Sequence, residues 1–171
     1  MEENITIRPL QTSDKATLAQ LANNKNIWDN LRDYIPFPYE EHDAGSFITR
    51  TKEENPKQTF GITYKGHLSG IVGLVVQEDV YQGSAEIGYW VGEPYWGNGI
   101  ATKAVELITE YGFDQLALHR IYAGVFAYNT ASIKVLEKNG FKKEGIFKNA
   151  IVKNDKRCDE HRFYKLNEQR K

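Results

Sequence analysis

A short glycine-bearing turn between a strand pattern and a long helix pattern most constrains how this chain folds. Residues 86–91 are β-branched and aromatic enough to predict a strand. Apolar residues then recur at 100, 101, 104, 105, 108 and 111, which predicts one face of a helix over residues 99–116. Gly97 and Gly99 lie between the two patterns. Because glycine lets backbone N–H groups at a helix start approach an anion closely, the turn predicts a phosphate-binding site.

Three phosphate-binding motifs use such a turn. The P-loop needs Lys and Ser or Thr after its second glycine, but Asn98 and Gly99 follow Gly97. The dinucleotide fingerprint needs a third glycine where Thr102 stands. A third pattern, Q/R-x-x-G-x-G/A, is matched at Gly99 and Ala101 and departs from the sequence at Trp96. On these six residues alone, an ordinary glycine turn before a helix is an equal alternative.

The other patterns predict an α+β fold. Ser13 and Asp14 are the candidate caps of the first helix, and a short second helix is expected to hold Trp28 and Leu31. Two prolines exclude a regular helix between residues 34 and 39. Further strands are predicted at residues 5–8, 59–64, 68–77, 120–126, 141–152 and 157–166, and further helices at residues 40–54 and 129–139. With no repeat or linker in view, we expect residues 1–171 to form a single domain with a mixed sheet.

Composition narrows the classes of function. Apolar residues make up 40% of the chain, enough for a core, and the net charge of −1 gives no general reason to bind nucleic acid or an anionic membrane. No apolar run approaches the roughly 20 residues that span a bilayer. Cys158 is the single cysteine, and the first four residues are acidic and polar. These features favour a reducing, cytoplasmic setting.

Four sequence blocks carry a family resemblance. They are ITIRPL at 5–10, AEIGYWV at 85–91, NTAS at 129–132 and KNGF at 138–141, with the glycine turn between the second and the third. This ordered set resembles the GNAT superfamily of acetyl-CoA-dependent N-acyltransferases. It is most similar to the branch that contains the ribosomal-protein N-terminal (RimJ/RimL-type) and spermidine acetyltransferases. The resemblance covers nearly the whole chain and is most specific over residues 86–141.

The resemblance implies a mixed, mostly antiparallel sheet of about seven strands flanked by helices. It also implies that the strands at 86–91 and 120–126 splay apart, so that the pantetheine arm of acetyl-CoA bonds to the backbone of Tyr89, Trp90 and Val91. The coenzyme pyrophosphate would lie on the N–H groups of the turn and the following helix. The residues implied there are Trp96, Gly97, Asn98, Gly99, Ile100, Ala101 and Thr102.

Three more residues acquire cofactor roles from the resemblance. Asn129, Ser132 and Lys138 would contact the coenzyme. Each has a simpler interpretation: Asn129 is a good helix N-cap, Ser132 suits a solvated first turn, and a lysine in a last turn is favoured by the helix dipole. For Asn129 the two roles are compatible, since capping uses the side-chain oxygen alone.

The expected reaction is direct attack of a primary amine on the thioester. Glu86 is the candidate general base, with Ile87, Tyr89 and Val91 expected to bury its carboxylate; the alternative is a glutamate that faces solvent. Many relatives protonate the leaving thiolate with a tyrosine, but the equivalent residue is Leu136, so Ser132 is the candidate substitute.

Acceptor binding is expected in the N-terminal half. Trp28, Tyr34 and Phe37 gather around the two prolines and are candidate substrate-binding residues, although aromatic residues more often belong to the core. The resemblance implies a protein N-terminal α-amino group as acceptor. A polyamine or aminoglycoside, or a coenzyme A-binding module without turnover, remains an alternative. No metal-ligand spacing is present, and the sequence leaves open whether the chain forms the homodimer common in this branch.

Overall fold

Seven strands and five α-helices make up residues 4–169, the part of the chain that the computed structural model describes. The strands are β1 (Ile5–Arg8), β2 (Thr59–Tyr64), β3 (His67–Val76), β4 (Ser84–Val91), β5 (Arg120–Phe126), β6 (Lys142–Lys153) and β7 (Lys156–Leu166). The helices are α1 (Lys15–Ala22), α2 (Lys25–Trp28), α3 (Glu41–Lys52), α4 (Ile100–Asp114) and α5 (Thr130–Lys138). The α+β prediction is confirmed. Residues 1–3, part of the acidic start, lie outside the described residues.

The strands form one sheet in the order β1-β2-β3-β4-β5-β7-β6. β4 pairs with β5 in parallel. The pairs β1–β2, β2–β3, β5–β7 and β6–β7 are antiparallel. The sheet is therefore mixed and mostly antiparallel, as expected, and the long helix α4 connects the two strands of the parallel pair β4–β5.

Two of the antiparallel pairs are closed by short hairpin turns. Lys65 and Gly66, between β2 and β3, have φ values of 51° and 81°. Asn154 and Asp155, between β6 and β7, have φ values of 51° and 59°. Positive φ at both central residues is the turn geometry that matches the twist of paired strands, and Asn, Asp and Gly tolerate it best.

The chain divides into two compact units. One contains the residues up to Gly73 together with Tyr89–Ala104, and the other contains Leu74–Gly88 together with the residues from Val105 onward. The first unit has its own apolar cluster, in which residues of α1 and α3 pack with residues of β3. Its buried members are Leu10, Leu18, Ala19, Ala22, Tyr39, Ala44, Ile48, Leu68 and Ile71. The single-domain expectation stays a prediction.

The second unit buries one face of β5. Ile121, Ala123 and Val125 alternate along this strand and are all at most 6% exposed. A Cβ placed on Gly112 in α4 would lie 3.0 Å from a methyl carbon of Ile121 and 2.8 Å from one of Leu74, so this helix packs closely on the sheet. The opposite face of β5 carries Arg120 and Tyr122, which are only half-buried.

Two local expectations were wrong. Asp14 does lie next to the first residue of α1, but its carboxylate makes no capping bond to that helix. It instead accepts the Gln11 N–H at 2.7 Å and both terminal nitrogens of Arg8 at 2.8 Å, because a charged partner forms the stronger bond. The second helix, α2, ends at Trp28 and does not include Leu31.

Candidate active site

The end of β4 is held against β3 by a close backbone approach. The N–H of Gly92 donates to the carbonyl of Ser69 at 2.7 Å. A Cβ on Gly70 would lie 2.2 Å from the carbonyl oxygen of Trp90, so only glycine fits this position. The backbone of residues 89–91, which leads into the following turn, is therefore held in a fixed position against β3.

The glycine turn (residues 96–99) links β4 to α4 and contains two left-handed residues. Gly97 has φ of +80° and Gly99 has φ of +71°, values that L side chains adopt only with strain. No atom lies within 4 Å of a Cβ built on either glycine. The turn is thus exposed on both sides, and the glycines are required by backbone conformation, since no neighbouring atom crowds them.

Two carbonyl groups of this segment are bonded by the Asn98 side chain. Its amide nitrogen donates to the carbonyls of Tyr95 at 3.0 Å and Trp96 at 3.2 Å. The first helical bond of α4 runs from the Lys103 N–H to the Gly99 carbonyl at 3.1 Å. N–H groups in the first turn of a helix have no intrahelical partner, and the helix dipole is positive there. This arrangement favours an anion.

Trp96 ties the glycine turn to the strand. Its indole Nε1 donates to the carbonyl of Val91 at 2.7 Å, while half of the residue remains exposed to solvent. Trp96 stands where the motif has Gln or Arg. The motif alone marks this residue as a departure; in the structure its indole N–H closes the turn onto the end of β4.

Asn129 caps α5 with its side chain. Its oxygen accepts the Ser132 N–H at 3.2 Å. The helix ends at a left-handed Gly140, where the Phe141 N–H donates to the Leu136 carbonyl and the Gly140 N–H donates to the Glu137 carbonyl, both at 3.0 Å. The expected cap and helix stop are both present. Asn129 retains its amide N–H groups for another partner.

Glu86 lies in β4 beside Tyr122 of β5, in a parallel register that pairs Ser84–Glu86 with Arg120–Tyr122. Within the described second unit, Ile87 and Gly88 fall outside this register. Glu86 is half-buried. Ile87 points to the opposite face, because successive strand side chains alternate, so it does not bury the Glu86 carboxylate. Burial by Tyr89 and Val91 stays a prediction.

The candidate acceptor residues form a partly exposed aromatic group in the first unit. The rings of Trp28 and Phe37 stack with centroids 5.4 Å apart, and the Trp28 indole N–H donates to the Ile35 carbonyl at 2.9 Å. Phe37 is 41% exposed and Tyr34 is 77% exposed. The nearby Tyr39 belongs to the core, and burial raises the pKa of its hydroxyl to about 12.

Similarity to known proteins identifies the family of this chain. Residues 4–142 match the family described as an acetyltransferase (GNAT) domain. This chain belongs to the GNAT family. It is therefore an acetyl-CoA-dependent N-acetyltransferase, and its α+β architecture is the GNAT fold.

The names of its relatives do not agree on one acceptor. The protein named "Probable N-acetyltransferase YjcK" of Bacillus subtilis (strain 168) is 32% identical over 153 residues, which cover 84% of this chain and 83% of that protein. RimJ of Mycobacterium smegmatis, in complex with CoA-disulfide, has a TM-score of 0.86 at 25% identity and covers 97% and 83% of the two chains. Spermidine N-acetyltransferase from Vibrio cholerae, in complex with CoA and spermine, has a TM-score of 0.81 at 26% identity and covers 96% of both.

The candidate site residues of this GNAT chain fall into both units. The first unit holds the acceptor candidates Trp28, Tyr34 and Phe37, and the cofactor candidates Tyr89, Trp90, Val91, Trp96, Gly97, Asn98, Gly99, Ile100, Ala101 and Thr102. The second unit holds Glu86, Asn129, Ser132 and Lys138. A groove of about 550 Å³ along α3 contains none of these residues, and so does not mark the site.

One buried carboxylate of the GNAT chain was missed. Glu160, in β7, is 8% exposed and accepts a hydrogen bond from Arg162 at 3.0 Å. Its sequence signal is weak, because a glutamate within a strand pattern is usually exposed to solvent. Its burial depends on Gly124 of β5, which lies beneath it.

Two further features concern the described residues of this GNAT chain. Over residues 4–169 there is no helix with the length and apolar character of a membrane span. In the same part of the chain, no group of three His, Cys, Asp or Glu side chains is arranged to hold a metal ion.

Proposed function

We propose that acetyl-CoA binds this chain with its pyrophosphate on the glycine turn and the N-terminus of α4. The observation that carries the proposal is the pair of left-handed glycines, Gly97 and Gly99, with no atom within 4 Å of either Cβ position. Phosphate oxygens can approach such a backbone directly, and the helix start favours their charge. The solved relatives RimJ and spermidine N-acetyltransferase are described in complex with forms of CoA, which supports the same ligand class here.

The pantetheine arm is proposed to bond to the backbone of Tyr89, Trp90 and Val91. The close approach at Gly70 supports this, because it fixes the backbone of residues 90 and 91. A backbone N–H of this segment would polarise the thioester carbonyl as the oxyanion develops. Coenzyme contacts from Asn129, Ser132 and Lys138 are also proposed, and they rest on the family pattern alone.

We propose a protein N-terminal α-amino group as the acceptor. Such a group has a pKa of about 7.7–8.0, so a good fraction is neutral at physiological pH and a modest base is sufficient. Glu86 is proposed as that base, acting directly or through water. Leu136, at the position of the family tyrosine, is fully buried and apolar. Ser132, at the start of the same helix, is proposed to help the thiolate leave.

A polyamine is the second candidate acceptor. The similarity to spermidine N-acetyltransferase from Vibrio cholerae, at 26% identity over nearly the whole chain, favours it. Polyamine nitrogens resemble lysine, whose pKa of about 10.4 demands more help from a base than an α-amino group does. With one carboxylate, Glu86, proposed as the base, the site suits the less basic amine better.

Acetyl transfer to a panel of amines tests the proposed acceptor. The protein is incubated with acetyl-CoA and peptides with a free N-terminus, spermidine, spermine or an aminoglycoside, and thiol release is followed together with the mass of the product. We expect the highest kcat/KM for peptides, with the acetyl group on the α-nitrogen. The matched control is the same peptide with a blocked N-terminus and an internal lysine. Faster turnover of spermidine than of every peptide would overturn the peptide assignment in favour of the polyamine.

A further inference from the structure

A set of polar and aromatic side chains shares one sheet face of the second unit with Glu86. The register places Glu86 beside Tyr122, and Tyr122 opposite Tyr164. Because alternate strand residues point the same way, Gly124, Glu160 and Arg162 lie on this face too. We call it the polar sheet face; besides Arg120, which pairs with Glu144, its members are Glu86, Tyr122, Gly124, Glu160, Arg162 and Tyr164.

Glu160 is the buried carboxylate of the polar sheet face. Its side chain crosses Gly124 so closely that a Cβ there would lie 2.7 Å from the carboxyl carbon and 2.8 Å and 2.9 Å from the two oxygens. Gly124 thereby provides the space in which the carboxylate lies. The strand register pairs Glu160 with Phe126, two residues beyond Gly124 in β5. To lie over Gly124, the Glu160 side chain therefore extends along the sheet in the direction of Tyr122.

Arg162 holds this carboxylate in one orientation. Its Nη2 donates to Oε1 of Glu160 at 3.0 Å. The guanidinium lies 4.9 Å from the ring centroid of Tyr122 and 4.8 Å from that of Phe147, so two aromatic rings restrict its position. This hydrogen bond uses Oε1, one of the two carboxylate oxygens of Glu160.

A gain in stability does not explain why the Glu160–Arg162 ion pair is buried. A buried ion pair contributes little net stability compared with apolar side chains of the same volume, because both charges lose their hydration. Here the pair is also incompletely bonded: the Nε of Arg162 is buried with no hydrogen-bond partner among the described residues. An arrangement that is costly to bury and rigidly oriented is typical of a binding group.

We propose that Glu160 is an acceptor-binding residue of the transferase. Its carboxylate accepts a hydrogen bond from the cationic amine of the acceptor. The guanidinium of Arg120 already lies over the rings of Tyr122 and Tyr164, at 5.7 Å and 5.2 Å, so the carboxylate alone supplies the attraction for the cation. This inference rests on the proposed function, because it places the acceptor on the face that carries the proposed base Glu86. Glu160 selects for positive charge, and Arg162 is its positioning residue.

Glu160→Gln is the main test. Glutamine keeps the size and the acceptor oxygen for Arg162 but removes the charge. Since a hydrogen bond to a charged group contributes about 1.5–3 kcal/mol, we expect the KM for the best amine acceptor to rise about tenfold to a hundredfold. The KM for acetyl-CoA and the kcat at saturating acceptor should stay near the values of the unchanged protein.

Gly124→Ala is the second variant. The added Cβ displaces the carboxylate without changing its charge, and the backbone of Gly124 does not have a positive φ. It should raise the acceptor KM in the same direction as Glu160→Gln. Asp159→Asn is the matched control. Asp159 immediately precedes Glu160 in β7, points to the other face and pairs with Lys148 at 2.8 Å. This control should leave both KM values unchanged.

The outcomes separate this inference from the proposed function. If the unchanged protein acetylates an amine and Glu160→Gln leaves the acceptor KM unaltered, the inference is overturned and the proposed function stands. An equal rise in the KM for acetyl-CoA would also overturn it, since it would indicate a structural role. If the unchanged protein transfers acetyl to no amine of the panel, the proposed function fails and Glu160 loses its assigned role with it.

Discussion

Glu86 of β4 is the proposed general base. Replacing it by Gln should lower kcat/KM for a peptide acceptor by about 10²-fold, the lower end of the usual contribution of a general base. The loss should be larger below the acceptor's own pKa of about 7.7–8.0, where most of the amine is protonated and a base is needed. Initial rates of thiol release between about pH 6 and about pH 9, a range that includes that pKa, check this.

Glu110→Gln is a suitable control for Glu86. Glu110 is an exposed glutamate of α4 with no assigned role. Its rates should follow those of the unchanged protein at every pH. Parallel pH–rate profiles for Glu86→Gln and the unchanged protein would remove Glu86 from the mechanism.

Trp96 shows at the residue scale what a motif cannot report. The Q/R-x-x-G-x-G/A pattern assigns a side-chain type to this position, and the indole does not match it. In the structure the indole N–H of Trp96 donates to the Val91 carbonyl and so closes the glycine turn. The bond joins residues five apart through a backbone oxygen, and sequence spacing does not encode such a bond.

At the scale of elements, the glycine turn depends on two φ values. Gly99→Ala should cost about 1–2 kcal/mol of stability, because φ of +71° is strained for alanine. It should also raise the KM for acetyl-CoA, since the strained turn would move N–H groups away from the phosphates. Thermal unfolding and initial rates with varied acetyl-CoA measure the two effects.

Gly66→Ala is the control that distinguishes the effect of backbone strain from an effect on acetyl-CoA binding. Gly66 has φ of +81° and, like Gly99, has no atom within 4 Å of its Cβ position, but it lies in the β2–β3 hairpin. We expect a similar loss of stability with no change in the KM for acetyl-CoA. If both variants alter that KM equally, the glycine turn is not the phosphate site.

At the scale of the whole molecule, one ion pair should make the free energy of unfolding depend on pH in the acid range. The Arg8 guanidinium, through two hydrogen bonds of 2.8 Å, holds the pKa of the Asp14 carboxyl below its ordinary value. The pair therefore stabilises the folded chain above the unfolded carboxyl's pKa of about 3.9 and loses this effect as pH falls through the lower, folded value.

Asp14→Asn should consequently lower the Tm at pH 7 more than in acid. A hydrogen bond to a charged group contributes about 1.5–3 kcal/mol, so the Tm should fall by several degrees at pH 7. The difference from the unchanged protein should shrink below about pH 4. Asp29→Asn, at an exposed pair with Lys25, serves as the control and should change the Tm little. A difference that stays constant from pH 7 into acid would contradict the assignment.

Strand and helix patterns predicted most of the architecture. β5 at Arg120–Phe126 and α5 with its Asn129 cap and Gly140 stop agree with their predicted positions because each depends on local periodicity and on residues close in sequence. Asp14 was misassigned as a cap for the opposite reason. Its preferred partner, Arg8, lies before the helix and outside the local capping pattern.

The sequence by itself determined the fold class, the GNAT resemblance and the glycine turn, since these depend on residue types at fixed short spacings. Only the tertiary structure decided which side chains share a face. Strand alternation separated Glu86 from Ile87, and strand register placed Glu160 over Gly124 and Arg162 between Tyr122 and Phe147. The physical reason is that pairing between distant strands sets these contacts, and a glycine far away in sequence decides whether a buried carboxylate has space.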